Sequence, residues 1–441
     1  MKGPLISNPM RPKGNEIVRR HNQVMVTSTM VPYPMVGHGA EGALVSDVDG
    51  NVYLDFSSAV AVMNVGYNHP EVKKAVLDQA ERLIHFAGND YYNTKQVELA
   101  EKLVSITPGR FQKRVFFSNS GAESIECAFK IARWHTKKPG MLSFLGAFHG
   151  RTFGALSLSA CKALHKKHFA PLVPQVVHVP YAYCYRCAYK LEYPSCDLWC
   201  AKYVEEVALR FFPSEDMAAI IAEPIQGEAG YITPPKDFLA EIESICRKND
   251  VVLITDEVQT GFARTGKMFA CEHFGVEPDI TTLSKALAAG LPMGATVSRA
   301  EVADWGEGSH SNTMGGNMLS AAAALANINV IEKEDLCGSA QELGNHAMKR
   351  LNELKEEGEL VGDVRGLGLM IGVEFVKDKN TKERAISETE HIVIEAFNNG
   401  LILLPVGLNC VRIAPPLNID ITHLDQGIDI LEKAVQKVAA S

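Results

Sequence analysis

Two charged residues stand where runs of apolar residues stop. Val251 to Thr255 is a strand-like run that leads into Asp256 and Glu257, and Asp279 to Leu283 is a second that leads into Ser284 and Lys285. Short apolar runs of this length suit strands buried on both faces. In an open parallel sheet, ligands sit beyond the carboxyl ends of the strands. The pattern therefore predicts a carboxylate, Asp256, and an amine, Lys285, on one rim. Such a pair can move protons and attack a carbonyl. The alternative is that both residues merely end buried strands at the surface.

An acid and a lysine placed this way suit pyridoxal phosphate (PLP), which is held through a lysine Schiff base with an acidic partner on its pyridine nitrogen. The carboxylate keeps that nitrogen protonated, so the ring can accept electrons from a substrate carbanion. A rival reading occupies the same stretch. GFARTGK, Gly261 to Lys267, fits the G-x-x-x-x-G-K phosphate loop. That loop needs Ser or Thr after its lysine to hold magnesium, and here Met268 follows. Its acid should also lie on a later strand, whereas Asp256 comes first.

DEVQTGFARTGK (Asp256 to Lys267) followed by PDITTLSKALAAGLPMGA (Pro278 to Ala295) resembles the lysine signature of the class III PLP-dependent aminotransferases, of the 4-aminobutyrate and ornithine type. The resemblance runs from about Val36 to Pro416. It implies an α/β chain of PLP-dependent transferase fold type I, with a large domain built on a mostly parallel seven-stranded sheet flanked by helices, plus a smaller α+β domain. It also implies a division into an N-terminal arm and hairpin (1–65) packing with the small domain, a large PLP-binding domain (66–330) and a C-terminal small domain (331–441).

The resemblance carries roles onto particular residues. Ser120, Gly121 and Ala122, between the strand Arg114 to Ser118 and the helix Ser124 to His135, match the phosphate cradle. A helix start with free N–H groups suits that anion. In GAFHGRT, Phe148 would stack on one face of the pyridine and Val258 would press on the other, while Gln259 would hydrogen-bond the phenolic oxygen. His149, a loop histidine, reads as structural and is given no catalytic role. Arg151 would grip the substrate carboxylate distal to the amine, for which a planar guanidinium fork is suited. In EPIQGEAG, Glu228 matches a gate that pairs with Arg412 of CVRIAPPL and releases it for the α-carboxylate of glutamate. A surface ion pair of little energy is the alternative. Val60 matches a position lining the substrate pocket, where ornithine-type relatives place a tyrosine. Lacking a hydroxyl, it favours a 4-aminobutyrate-like ω-amino acid, unless it simply packs in the core. Thr313, in TMGGN, matches a residue that crosses a dimer interface to the partner's phosphate, which implies a homodimer or higher homo-oligomer.

The implied reaction moves the amino group of an ω-amino acid to 2-oxoglutarate through a Lys285 Schiff base, with Asp256 supporting the electron sink. Two related activities stay open: a PLP-dependent amino-acid racemase or epimerase, and an ornithine or acetylornithine aminotransferase.

The elements that must position these residues follow from the rest of the pattern. Gly42 to Phe56 alternates around an Asp49-Gly50 turn and reads as a β-hairpin. Pro70 to Phe86 and Thr94 to Ile106 show helical apolar spacing, and Met141 to Leu145 and Ala218 to Ala222 read as further strands. Residues 1–35 read as an arm or a short helix in need of a partner. After Ile331 the helices Gln341 to Glu357 and His423 to Ala440 frame strands around Leu401 to Pro405 and Val411 to Ala414, a compact α+β arrangement.

At 441 residues the chain has room for two or three domains, and 46% hydrophobic with 22% charged residues is ordinary for a globular protein. A net charge of −8 argues against nucleic acid or an anionic membrane as a partner. No apolar run approaches a membrane span, and no secretory signal is visible, so a cytoplasmic protein is expected. Of ten cysteines, four cluster as Cys184-x-x-Cys187 and Cys196-x-x-x-Cys200. On spacing they are candidates for a four-thiolate zinc or iron–sulfur site, or for free thiols on an aromatic-rich excursion. Aminotransferase chemistry needs no metal, and none is assigned to the active site. A non-enzymatic metal-binding module resting on these cysteines is the reading from another class.

Overall fold

The computed structural model describes residues 3–29, 31–88 and 90–440. They form two compact units: one runs Glu71–Cys337, and the other comprises the described residues up to Pro70 with those from Gly338 onward.

The Glu71–Cys337 unit is built on a seven-stranded sheet. Its strands in chain order are β1 (Lys113–Ser118), β2 (Gly140–Phe144), β3 (Val176–Val179), β4 (Met217–Ala222), β5 (Val252–Asp256), β6 (Ile280–Leu283) and β7 (Gly294–Arg299). Their spatial order is β1-β7-β6-β5-β4-β2-β3. The pairs β2–β3, β2–β4, β4–β5 and β5–β6 are parallel, while β7 runs antiparallel to both β6 and β1. β1 therefore points the same way as β6, and six strands deliver their carboxyl ends to one rim. Every residue of β2, β4, β5 and β6 is buried. Continuous apolar runs are what a parallel sheet covered on both faces requires.

The helix Gly121–Thr136 packs Ile125, Phe129 and Ile131 against Met141, Ile221 and Ile254 of the sheet. It starts where it does because the Ser120 side chain accepts from Glu123 N at 3.3 Å, while Glu123 reaches back to Asn119 N at 2.9 Å. Two side chains thus satisfy backbone donors at the helix start. The helix beginning at Pro70 ends at Ala80 rather than Phe86: Leu83, Ile84 and Phe86 continue the apolar spacing but are exposed. The GFARTGK segment is a run of turns that neither leaves a strand directly nor opens an α-helix, which removes the phosphate-loop reading.

In the other unit, Leu44–Asp47 and Val52–Asp55 pair antiparallel, flanked by Gly37–Glu41 and by Leu401–Ile402, the last in parallel. Gly50 takes φ 87 at the turn, a conformation that glycine adopts without strain. The helix Pro12–Val24 occupies part of the N-terminal arm. A second sheet contains Val361–Leu367, Met370–Asp378, Leu404–Val406 and Cys410–Ile413. Arg412 lies on the last of these strands and is buried. Val60 belongs to a stretch, Ser58–Ala61, in which four consecutive non-glycine residues have positive φ, 41 to 68. Left-handed backbone of this kind costs roughly 1–2 kcal/mol per residue. Asp55 holds the turn: its carboxylate accepts from Ser57 N (2.7 Å), Ala59 N (3.2 Å) and the Tyr67 hydroxyl (2.6 Å).

Candidate active site

Asp256 closes β5, and Lys285 follows β6 on the adjacent strand. Their register places Asp256 beside Thr282. Asp256 Oδ1 accepts from Val258 N at 3.0 Å and from Thr282 Oγ1 at 3.2 Å. Its Oδ2 faces His149 Nδ1 at 2.7 Å. Three of a carboxylate's roughly four acceptor positions are thus occupied, leaving one to receive a further donor. Lys285 is half-buried and holds φ 45, a left-handed conformation uncommon for a residue with a Cβ.

The other loops converge on the same rim. A Cβ on Gly121 would lie 2.9 Å from Val258 Cγ1 and 3.5 Å from Ser284 Cβ, so the helix start abuts both the acid-bearing and the lysine-bearing loops. Ser124 Oγ donates to Leu283 O at 3.1 Å and locks the helix to the end of β6. The first N–H groups of a helix have no intrahelical partner. Those of Gly121 and Ala122, at the positive end of the helix dipole, are suited to serve as an anion seat.

The loop after β2 is fixed from below. Phe148 N donates to Glu223 Oε1 at 2.9 Å, and Gly227 N donates to Glu223 Oε2 at 2.8 Å. Burial pushes the Glu223 carboxyl up to about 7; His149 pulls it down and Asp256 pushes it further up. Gln259 is buried, accepts from the Tyr231 hydroxyl at 3.0 Å and packs against Gly227.

Arg151 is exposed beyond this loop, its guanidinium 5.9 Å from the Phe148 ring centre and 3.3 Å from His165 Nε2. A guanidinium can only donate, so His165 carries its proton on Nδ1, toward Cys161 Sγ at 3.4 Å. Burial, then Arg151 and Lys162, hold the His165 imidazole below its ordinary pKa. Burial and then the carboxylates of Glu228 and Glu223 raise the Cys161 thiol to about 11. Glu228 therefore lies in the neighbourhood of this cluster.

Of the residues expected from sequence, the Glu71–Cys337 unit assembles Gly121, Ala122, Phe148, Val258, Gln259, Asp256 and Lys285 around one rim. Ser120 serves as a helix cap. Thr313 is exposed in a loop whose neighbour Asn312 bonds Phe117 O at 2.8 Å. Val60 and Arg412 belong to the other unit. His149, to which the sequence assigns no catalytic role, is buried against Asp256, and its Nε2 has no hydrogen-bond partner among the described residues.

A lysine and a bonded acid at neighbouring carboxyl ends of a parallel sheet, with a helix-start anion seat beside them, define a PLP-dependent enzyme of fold type I. The family profile described as aminotransferase class-III matches residues 26–435. The chain belongs to the class-III aminotransferases. It is 43% identical over 425 residues to a leucine/methionine racemase of Thermococcus litoralis, covering 96% of each. It is 40% identical over 399 residues to a probable 4-aminobutyrate aminotransferase of Bacillus subtilis, covering 90% of this chain and 92% of the relative. Among solved structures it resembles a taurine:2-oxoglutarate aminotransferase from Bifidobacterium kashiwanohense in complex with PLP and glutamate. That match has a TM-score of 0.91 at 29% identity and covers 97% of this chain and 98% of the other.

The residues present fit PLP. The anion seat suits its phosphate, and Asp256 keeps one acceptor position for its ring nitrogen. Among the described residues, no helix is long and apolar enough to cross a membrane.

Proposed function

We propose that this protein is an aminotransferase that moves the amino group of a 4-aminobutyrate-like ω-amino acid to 2-oxoglutarate. When bound, PLP supplies an electron-accepting ring that stabilises the charge left on a substrate carbon as its proton departs. Lys285 Nζ takes that proton and returns it to a different atom. Asp256 would hold the ring nitrogen in its protonated form, with His149 positioning Asp256. Phe148 and Val258 would hold the ring.

The observation that carries the reading is the placement of Arg151 beside Phe148. A cation at that distance from the ring face suits a substrate whose carboxylate is remote from its reacting amine. The Bacillus subtilis relative is named for such a substrate. Glu228 and Arg412 would provide the switch by which glutamate, with its second carboxylate, shares the site. Val60 would present an apolar wall. The active form is proposed to be a homodimer in which Thr313 reaches the phosphate of the neighbouring copy. Exposed Leu83, Ile84, Phe86, Tyr91 and Tyr92 support association, since apolar groups clustered at a surface mark contact sites.

Amino-acid racemisation is the second reading, favoured by the 43% identity to a racemase. The protein is incubated with 4-aminobutyrate or single L-amino acids, with and without 2-oxoglutarate, and products are separated by chiral chromatography. Glutamate formed only when donor and keto acid are both present is the expected result. Inversion without any keto acid overturns it in favour of racemisation.

A further inference from the structure

The segment from Tyr181 to Cys200 is irregular apart from a short turn of 3-10 helix at Cys184–Arg186, and the helix Trp199–Tyr203 only begins at its end. Long irregular stretches inside a compact unit need some other source of order. This one folds around a small cavity of ≈ 20 Å³, whose wall includes Cys184, Cys187, Cys196 and Cys200 together with Tyr189 and Trp199. No part of the chemistry described above uses these residues.

We propose that Cys184, Cys187, Cys196 and Cys200 together bind one zinc ion, which staples this segment. The spacing, C-x-x-C followed by C-x-x-x-C, matches the paired ligands of structural zinc sites, in which four thiolates surround the ion tetrahedrally.

Each thiol releases its proton to water as its sulfur–zinc bond forms, with no change of oxidation state.

The surroundings supply a further partner. The Tyr189 hydroxyl is buried, has no hydrogen-bond partner among the described residues, and belongs to a side chain lining the same cavity. A hydroxyl donor is the kind of outer contact that such sites use. Among the described residues, no three thiol, imidazole or carboxylate groups already stand at ligand distance from one point. Closure of the shell is therefore part of binding, with the exposed Cys184 side chain turning inward.

The site is independent of the reaction assigned above: either can fail without the other. The full chain is incubated with zinc alone, desalted and subjected to elemental analysis. About one zinc per chain is expected, lost in Cys184→Ser and Cys200→Ser and kept in Cys337→Ser. Zinc should also protect these four thiols, identified by peptide mass, from alkylation in the unaltered protein, which keeps the test decisive if the serine variants do not fold. Zinc-independent alkylation of all four, a disulfide between any two, or bound iron with sulfide in place of zinc overturns the proposal.

Discussion

His149 Nδ1 lies 2.7 Å from Asp256 Oδ2, with both side chains buried. The other carboxylate oxygen is held by Val258 N and Thr282 Oγ1. The acid is thus clamped from two sides, and the imidazole is the only side chain holding Oδ2 among the bonds described. Removing it should loosen the carboxylate without removing its charge. For His149→Ala we expect kcat to fall about 10–100-fold, the range typical when an orienting outer partner is lost. KM should change little. Since an amide can donate to the same oxygen, His149→Gln should recover part of the loss. Equal losses in both variants, or none, would show that the contact does not position Asp256.

Gly150 has φ +132, and a Cβ there would stand 2.7 Å from Ala122 Cβ and 2.9 Å from Ala122 Cα. Backbone conformation and space both exclude a side chain. Because Ala122 belongs to the anion seat, Gly150→Ala should push the Phe148 loop and the helix start apart. The expected outcome is weaker PLP retention on dialysis, with a substituted chain that still folds. Retention equal to the parent protein would mean that the two loops can separate without disturbing the seat.

Much of this rim was legible in the chain itself, and the parts that were not have physical reasons. The runs Val251 to Thr255 and Asp279 to Leu283 stood out because strands covered on both faces are continuously apolar. β7 did not, since Thr296 and Ser298 interrupt it. Both are buried, and the Thr296 hydroxyl is satisfied by Ser124 O at 2.9 Å, a partner far away in sequence. β3 is four residues long, too short for a period to show. Nothing local to His149 announces a contact with a residue on another strand. The left-handed turn at Ser58–Ala61 contains no glycine to mark it and depends on the Asp55 carboxylate. Apolar spacing overstates the helix that stops at Ala80, because it persists in Leu83, Ile84 and Phe86, which are exposed. Composition cannot tell a buried helical face from a surface that awaits a partner.

Glu223 ties the pH dependence of folding to the same network. Its carboxyl is raised from 4.5 to about 7 by burial. Between those values the native state keeps a proton that the unfolded chain has released. The native state then binds more protons, so this group's contribution to stability falls as pH rises through the window. Glu223→Gln removes the titration. The variant should lose ground where wild-type Glu223 is neutral and recover relative to it as pH approaches 7. Urea midpoints measured across the window test this, and a difference that stays constant or moves the other way would contradict it.

Arg151 separates binding from chemistry. Its guanidinium lies 5.9 Å from the Phe148 ring centre and contacts His165 Nε2 at 3.3 Å. A group that holds the far carboxylate equally in the ground and transition states affects KM alone. Arg151→Gln should therefore raise KM for 4-aminobutyrate by about 10–100-fold, one to three kcal/mol for a charged hydrogen bond, while kcat changes much less. Arg151→Lys should recover only part of the loss, because a point charge cannot reproduce a bidentate fork. An amine substrate without a carboxylate supplies the control. Its KM should be indifferent to the substitution, and a matching rise there would assign Arg151 to the shape of the loop rather than to the recognition of a carboxylate.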